Sequence, residues 1–90
     1  MNLLFTKPFK KDYDDLPAKI QRALDKALIF LIANPRHSSL QSKKLPGTEI
    51  WYARITCDYR FTFQFAAGFI ILRRAGTHDI LNRERKSFKK

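Results

Sequence analysis

The side chains best suited to chemistry on a charged phosphate are Arg54, Arg60 and His78. A guanidinium presents a planar fork that matches two phosphate oxygens. An imidazole takes up or releases a proton near neutral pH. Arg73 and Arg74 offer a further guanidinium, but strand neighbours point to opposite faces, so only one of them shares a face with Arg54. Asp58 can orient a neighbour or accept a proton, and serves equally as the polar residue that stabilises a turn. Tyr52 and Tyr59 carry rings on which a nucleic-acid base can stack. Lys43 and Lys44 suit a grip on a polyanion, or simple solvation of a loop. Each of the leading residues also has a plainer reading. His78 follows Gly76-Thr77 and fits an ordinary surface histidine, and Arg54 and Arg60 fit solubility residues on an exposed sheet. His37 reads as a loop residue. The two histidines and Cys57 lie too far apart in the chain to suggest a metal site, and no cofactor is expected.

The elements that must position these residues follow from hydrophobic periodicity. Leu3 to Thr6 reads as a first strand. Thr6 then caps a helix with Pro8 in its first turn, running to about Asp15. Pro17 opens a longer helix that Asn34-Pro35 stops. Its apolar positions Ile20, Leu24, Ala27, Leu28 and Leu31 form one stripe, with Lys19, Arg22 and Lys26 facing away. The residues from Arg36 to Ser42 read as a polar loop, and Pro46-Gly47 as a turn. From Glu49 the period becomes two. Trp51, Ala53 and Ile55 share one face of a strand, and Tyr52, Arg54 and Thr56 the other. The next strand places Tyr59, Phe61, Phe63 and Phe65 on one face, with Arg60, Thr62 and Gln64 opposite. Phe69 to Ala75 completes a meander.

These elements predict a single α+β domain over residues 1–90, with a helical hairpin packed on one face of a four-stranded antiparallel sheet. The aromatic face meets the helices. The face carrying Arg54, Arg60 and Thr62 is then left exposed, as a platform for a polyanion. Residues 83–90 read as a charged tail, compatible with one or two helical turns or with disorder.

The balance of charge agrees with that platform. Eighteen Lys and Arg against eight Asp and Glu give a formal net charge of +10, which favours nucleic acid, ribosome, anionic membrane or an acidic protein as partner. The longest apolar run, Ala27 to Ala33, is far shorter than the roughly 20 residues that span a bilayer. No signal peptide is visible, and a lone cysteine fits a reducing compartment, so a cytoplasmic protein without membrane association is expected.

The element order, the segment WYARITCDYRFTF from Trp51 to Phe63 and the segment RRAGTHDIL from Arg73 to Leu81 resemble the RelE/ParE toxin superfamily, most of all its RelE- and YafQ-like branch. The resemblance runs from the first strand to Leu81. It implies a compact β-α-α-β-β-β fold and the cleavage of mRNA on the ribosome. It also implies restraint by a cognate antitoxin, expected to be acidic and to wrap the basic face. Position by position, Tyr59-Arg60 is similar to a Tyr-Arg pair of RelE-like members. Arg74 matches an arginine four residues before the final histidine of the YafQ-like pattern, and His78 matches that histidine. Arg54 and Asp58 stand where that branch has a strand histidine and an aspartate, and Lys43 or Lys44 where it has an upstream histidine. The chain thus keeps the cations and one histidine, and leaves the general base open.

Internal RNA cleavage needs a base for the 2′-hydroxyl proton, cations for the charge building on phosphorus, and an acid for the departing 5′-oxygen. It needs no metal ion. Arg54, Arg60 and Arg74 suit the cations, His78 the acid or base, Asp58 an orienting or accepting group, and Lys43, Lys44, Tyr52 and Tyr59 the hold on RNA. Two other functions share the fold. A ParE-like inhibitor of DNA gyrase would carry no nuclease chemistry, and a nontoxic nucleic-acid-binding module would use the basic face alone.

Overall fold

The computed structural model describes residues 2–88. The chain order is β1 (Asn2–Phe5), α1 (Lys7–Asp15), α2 (Ala18–Ala33), a short 3₁₀ turn (Ser38–Leu40), β2 (Lys43–Lys44), β3 (Trp51–Arg54), β4 (Tyr59–Ala66), β5 (Phe69–Thr77) and α3 (Asp79–Phe88). Of the expected charged tail, residues 89–90 lie outside the described residues.

Local chemistry sets the boundaries. Thr6 Oγ1 accepts a hydrogen bond from the Phe9 amide at 3.3 Å, which caps α1. The same hydroxyl donates to the Leu72 carbonyl at 2.7 Å, fastening the start of the helix to β5. Leu16, in extended conformation before Pro17, ends α1. The stripe expected on α2 is found: Leu24, Ala27, Leu28 and Leu31 are buried, with Ile20 packed beside them. They meet Phe61 and Phe63 of β4 and Ile70 and Leu72 of β5 in one core that also takes in Phe9. Tyr13 braces the hairpin by donating its hydroxyl proton to Asp25 Oδ1 at 2.8 Å. That bond raises the pKa of the Tyr13 phenol.

The α+β architecture with the hairpin on one face is as expected, but the sheet differs in two respects. It has five strands in the order β1-β5-β4-β3-β2, and it is mixed. β1 pairs in parallel with β5, from Asn2 opposite Phe69 to Phe5 opposite Leu72. Side-chain alternation is the same in either direction, so periodicity carries no sign of strand polarity. The added strand is the Lys43–Lys44 pair, expected as loop and found antiparallel to β3. A two-residue strand is too short to show alternation.

The largest correction concerns the far face of the sheet. Thr62, expected in solvent, is fully buried, because α3 lies over it. Residues 79–88 form a helix, the helical alternative for the charged tail, begun four residues ahead of residue 83. Its Ile80 and Leu81 close a second core with Leu45 and Ile50 from the β2–β3 connection. Gly76 permits the close approach, since a Cβ there would stand 3.0 Å from Ile80 Cγ2. Glu84 reaches down between the strands. Its carboxylate accepts from Thr62 Oγ1 at 2.8 Å and from Arg73 Nε at 2.7 Å.

A bulge sorts the two adjacent arginines. The β4–β5 register steps from Thr62 opposite Arg74 to Phe63 opposite Leu72, which leaves Arg73 as the extra residue. Arg73 turns to Glu84 and to Gln64 Oε1. Arg74 turns to α1, where Asp12 accepts from its Nε at 2.7 Å and its Nη2 at 3.1 Å. These bonds raise the Arg74 pKa above its ordinary value. Asp12 Oδ2 also accepts from the Ala75 amide at 3.0 Å, a donor that β1 does not reach because its pairing stops at Phe5 opposite Leu72. The pair thus seals a sheet edge. Asp12→Ala is expected to cost about 1–3 kcal/mol, the range for a buried donor losing its acceptor. Urea denaturation checks this through a lowered midpoint at constant slope.

Candidate functional site

A cleft of about 220 Å³ opens on the sheet face opposite the helical hairpin, beside α3, lined by Gln41, Lys43, Tyr52, Arg54, Arg60 and His78. Four strands deliver these residues. Lys43 of β2 lies opposite Tyr52 of β3, and Arg54 of β3 lies opposite Arg60 of β4. His78 follows Thr77, the last residue of β5, and Arg60 is paired with Gly76 of that strand. The alternation expected for β3 and β4 therefore places Tyr52, Arg54 and Arg60 on one face.

The electrostatics of the cleft are one-sided. Among the described residues, three cationic side chains line it and no carboxylate does. Like charges directly opposite each other across two strands destabilise a sheet. Arg54 and Arg60 hold that arrangement, and an anion seated between them would relieve it. Both arginines are also oriented. Arg60 Nη1 donates to the Cys57 carbonyl at 3.1 Å and the Tyr59 carbonyl at 2.9 Å, so it braces the turn between β3 and β4. Arg54 Nη2 donates to Cys57 Sγ at 3.3 Å. The remaining nitrogens of both forks have no partner among the described residues. Tyr52 packs against the Leu45, Ile50, Ile80 and Leu81 cluster, which fixes its ring. His78 is exposed, while its carbonyl accepts from the Leu81 amide at 3.1 Å and starts α3.

Of the residues singled out from sequence, the fold thus assembles Lys43, Tyr52, Arg54, Arg60 and His78. Four others stand elsewhere. Arg74 stands opposite Thr62 in the ladder but is held at the sheet edge by Asp12 and does not line the cleft. Tyr59 packs against the main core, on the hairpin side of the sheet. Asp58 is exposed in the β3–β4 turn and does not line the cleft. Lys44 projects away from its neighbour Lys43 and pairs with Glu49 at 3.5 Å. Sequence reasoning missed Gln41, which lines the cleft and adopts a left-handed conformation with φ of 48°. Nothing in the sequence marks it, since glutamine is not a residue that favours this region. Among the described residues, no group of three His, Cys, Asp or Glu side chains comes together as a metal site, and no helix is long and apolar enough to cross a membrane.

Such a cleft can hold a phosphodiester between guanidinium forks and an ammonium, seat a base against the Tyr52 ring, and move a proton at His78.

No family model matches the chain, and no curated protein matches it in sequence. Solved structures do match in fold. A YoeB/ParE toxin from Agrobacterium tumefaciens superposes with a TM-score of 0.75 at 20% identity, covering 87% of this chain and 99% of the toxin. YafQ from E. coli gives 0.74 at 17% identity, with 89% and 96% covered. The RelB–RelE antitoxin–toxin complex from Methanococcus jannaschii gives 0.73 at 23% identity, with 90% and 96% covered. The chain has the fold of the RelE/ParE toxins.

Proposed function

We propose that this protein is the toxin of a toxin–antitoxin pair and cuts mRNA on the ribosome. The observation that carries the reading is the cleft itself: Lys43, Arg54 and Arg60 converge with Tyr52 and His78, and no carboxylate among the described residues lines the site. In the reaction, the 2′-oxygen of one nucleotide attacks the adjacent phosphorus and loses its proton. The bond from phosphorus to the 5′-oxygen of the next nucleotide breaks, and that oxygen takes up a proton. The products are a 2′,3′-cyclic phosphate and a free 5′-hydroxyl. Arg54, Arg60 and Lys43 stabilise the negative charge that builds on the phosphate oxygens. His78 exchanges one of the two protons, and Tyr52, which lines the same cleft, is a partner for the other.

The ribosome supplies what a shallow, exposed cleft lacks, namely an mRNA held in an extended conformation with its backbone presented. The counterpart in the cell is an acidic protein, matched to a net charge of +10. The neighbour from Methanococcus jannaschii is seen in such a toxin–antitoxin pairing. A cytoplasmic location follows from a ribosomal target.

Two reactions run side by side separate this reading from gyrase inhibition, which the same fold accommodates. Added to a cell-free translation mixture, the protein is expected to stop synthesis and shorten the mRNA. Added to a DNA supercoiling reaction, it is expected to have no effect. Blocked supercoiling with intact mRNA would overturn the assignment.

A further inference from the structure

A second cavity, of about 460 Å³, opens where the loop after α2 meets the end of the aromatic ladder. The Trp51 and Phe65 rings form its floor over the fully buried Phe63, and Arg36, His37 and Gln41 stand on its rim. From sequence the ladder reads as core throughout. Phe65 is instead 40% exposed, and the Trp51 and Phe65 rings meet nearly edge to face, with centroids 5.8 Å apart and planes at 76°. Two aromatic surfaces at a steep angle make a notch for a flat ring.

The rim is held in place. Asn34 Oδ1 accepts from the Arg36 amide at 3.0 Å, and Ser42 Oγ donates to the Pro35 carbonyl at 3.0 Å. His37 stacks on Phe30 with centroids 4.2 Å apart. Its Nδ1 accepts from the Ser39 amide at 3.1 Å, so the ring proton resides on Nε2, which can donate to a ligand. The Arg36 guanidinium has neither a carboxylate nor a hydrogen-bond acceptor among the described residues. The rim therefore offers hydrogen-bonding groups and a free cation around an aromatic floor.

The cavity and the basic cleft share one residue. Gln41 lines both, and it is the described non-glycine residue with positive φ. Such a conformation persists only where the surroundings enforce it, and it recurs at ligand sites. The cavity lies on the hairpin side of the sheet and the cleft on the opposite side, so a strand that visits both passes the edge where Gln41 stands.

We propose that this cavity is a base-binding subsite for single-stranded RNA, receiving a base from the part of the strand that runs round the β2 edge beyond the basic cleft. The inference rests on the nuclease reading for the identity of the strand. Base stacking on aromatic side chains tolerates any base, and a nearby guanidinium takes the phosphate that follows. The aromatic floor supplies the first and Arg36 the second.

Trp51 is the only tryptophan, so it reports on this site directly. The probe is a five-nucleotide RNA with 2′-O-methyl groups, which block internal cleavage, titrated into the intact protein while Trp51 fluorescence is followed. Saturable quenching is expected. An oligomer of the same length without bases is expected to bind at least about fivefold more weakly, with no quenching. Phe65→Ala and, independently, the loop variant Arg36→Ala are expected to weaken the base-bearing oligomer by at least about fivefold. Equal affinity for the two oligomers would overturn the proposal. So would a nucleoside monophosphate that binds as tightly as the oligomer, since the cavity would then serve a free nucleotide. Protein that cuts ribosomal mRNA without quenching sinks this subsite and spares the nuclease reading. Protein that quenches but never cuts does the reverse.

Discussion

His78→Ala is expected to slow single-turnover mRNA cutting on the ribosome by about 100-fold or more, the usual contribution of a positioned acid or base. Binding to the ribosome is expected to persist, because it rests on Lys43, Arg54, Arg60 and the overall charge, which the substitution does not touch. The fold is also expected to persist. His78 is exposed, and its structural contact is a backbone carbonyl that alanine retains. Cutting at the wild-type rate by the soluble variant would move the proton transfer to another group, with Tyr52 the remaining candidate in the cleft. Arg54→Ala makes a useful companion. It removes charge stabilisation from the transition state and a phosphate contact from the ground state, so both rate and affinity are expected to fall.

Glu84→Ala is expected to have the largest effect on stability, about 2–4 kcal/mol, with a drop in melting temperature of roughly 10 °C or more. Glu84 has only 5% of its surface exposed, and it accepts from Thr62, itself fully buried, and from Arg73. Without the carboxylate the Thr62 hydroxyl keeps only a long 3.5 Å contact to the Arg74 carbonyl as donor, and Arg73 keeps Gln64. Glu84→Gln keeps the shape and loses the charge, so it is expected to fall between wild type and Glu84→Ala. Because α3 begins directly after His78, the alanine variant is also expected to lose order at the cleft. Amide exchange would show this as faster exchange across residues 79–86. Unchanged melting and exchange in Glu84→Ala would mean that the Ile80 and Leu81 contacts alone hold the helix.

Much of the fold was legible because its signals are local. Thr6, Pro8, Pro17 and Asn34-Pro35 mark helix ends through capping and proline chemistry, and each boundary falls where those residues place it. The period-two pattern likewise put Arg54, Tyr52 and Arg60 on one face of the sheet and Phe61 and Phe63 on the other. What escaped was non-local. Strand polarity of β1 depends on where the helical hairpin returns the chain, which side-chain alternation does not encode. The bulge at Arg73 interrupts the alternation by which only one of Arg73 and Arg74 was expected to share a face with Arg54, and a single inserted residue leaves no mark on composition. Residues 79–88 carry five charged groups among ten, which masks the narrow stripe of Ile80, Leu81 and Glu84 that docks the helix. A buried glutamate whose partners are Thr62 and Arg73 becomes intelligible only when three distant segments meet.

The candidate site divides along the same line. Arg54, Arg60 and His78 were legible because residue type and strand parity suffice to place them. Lys43 and Lys44 could be told apart only through the pairing of β2 with β3, which sends one into the cleft and the other to Glu49. Phe65, at the end of a ladder that looks like core, is exposed because it borders the cavity under the loop after α2, which alternation does not show.

The most direct test maps RNA ends on ribosomes programmed with a defined mRNA, after addition of wild-type protein, His78→Ala or Arg54→Ala. New ends in the mRNA, bearing a 2′,3′-cyclic phosphate upstream and a 5′-hydroxyl downstream, and absent or greatly reduced with either variant, are the predicted result. Intact mRNA in the presence of folded wild-type protein would contradict the account.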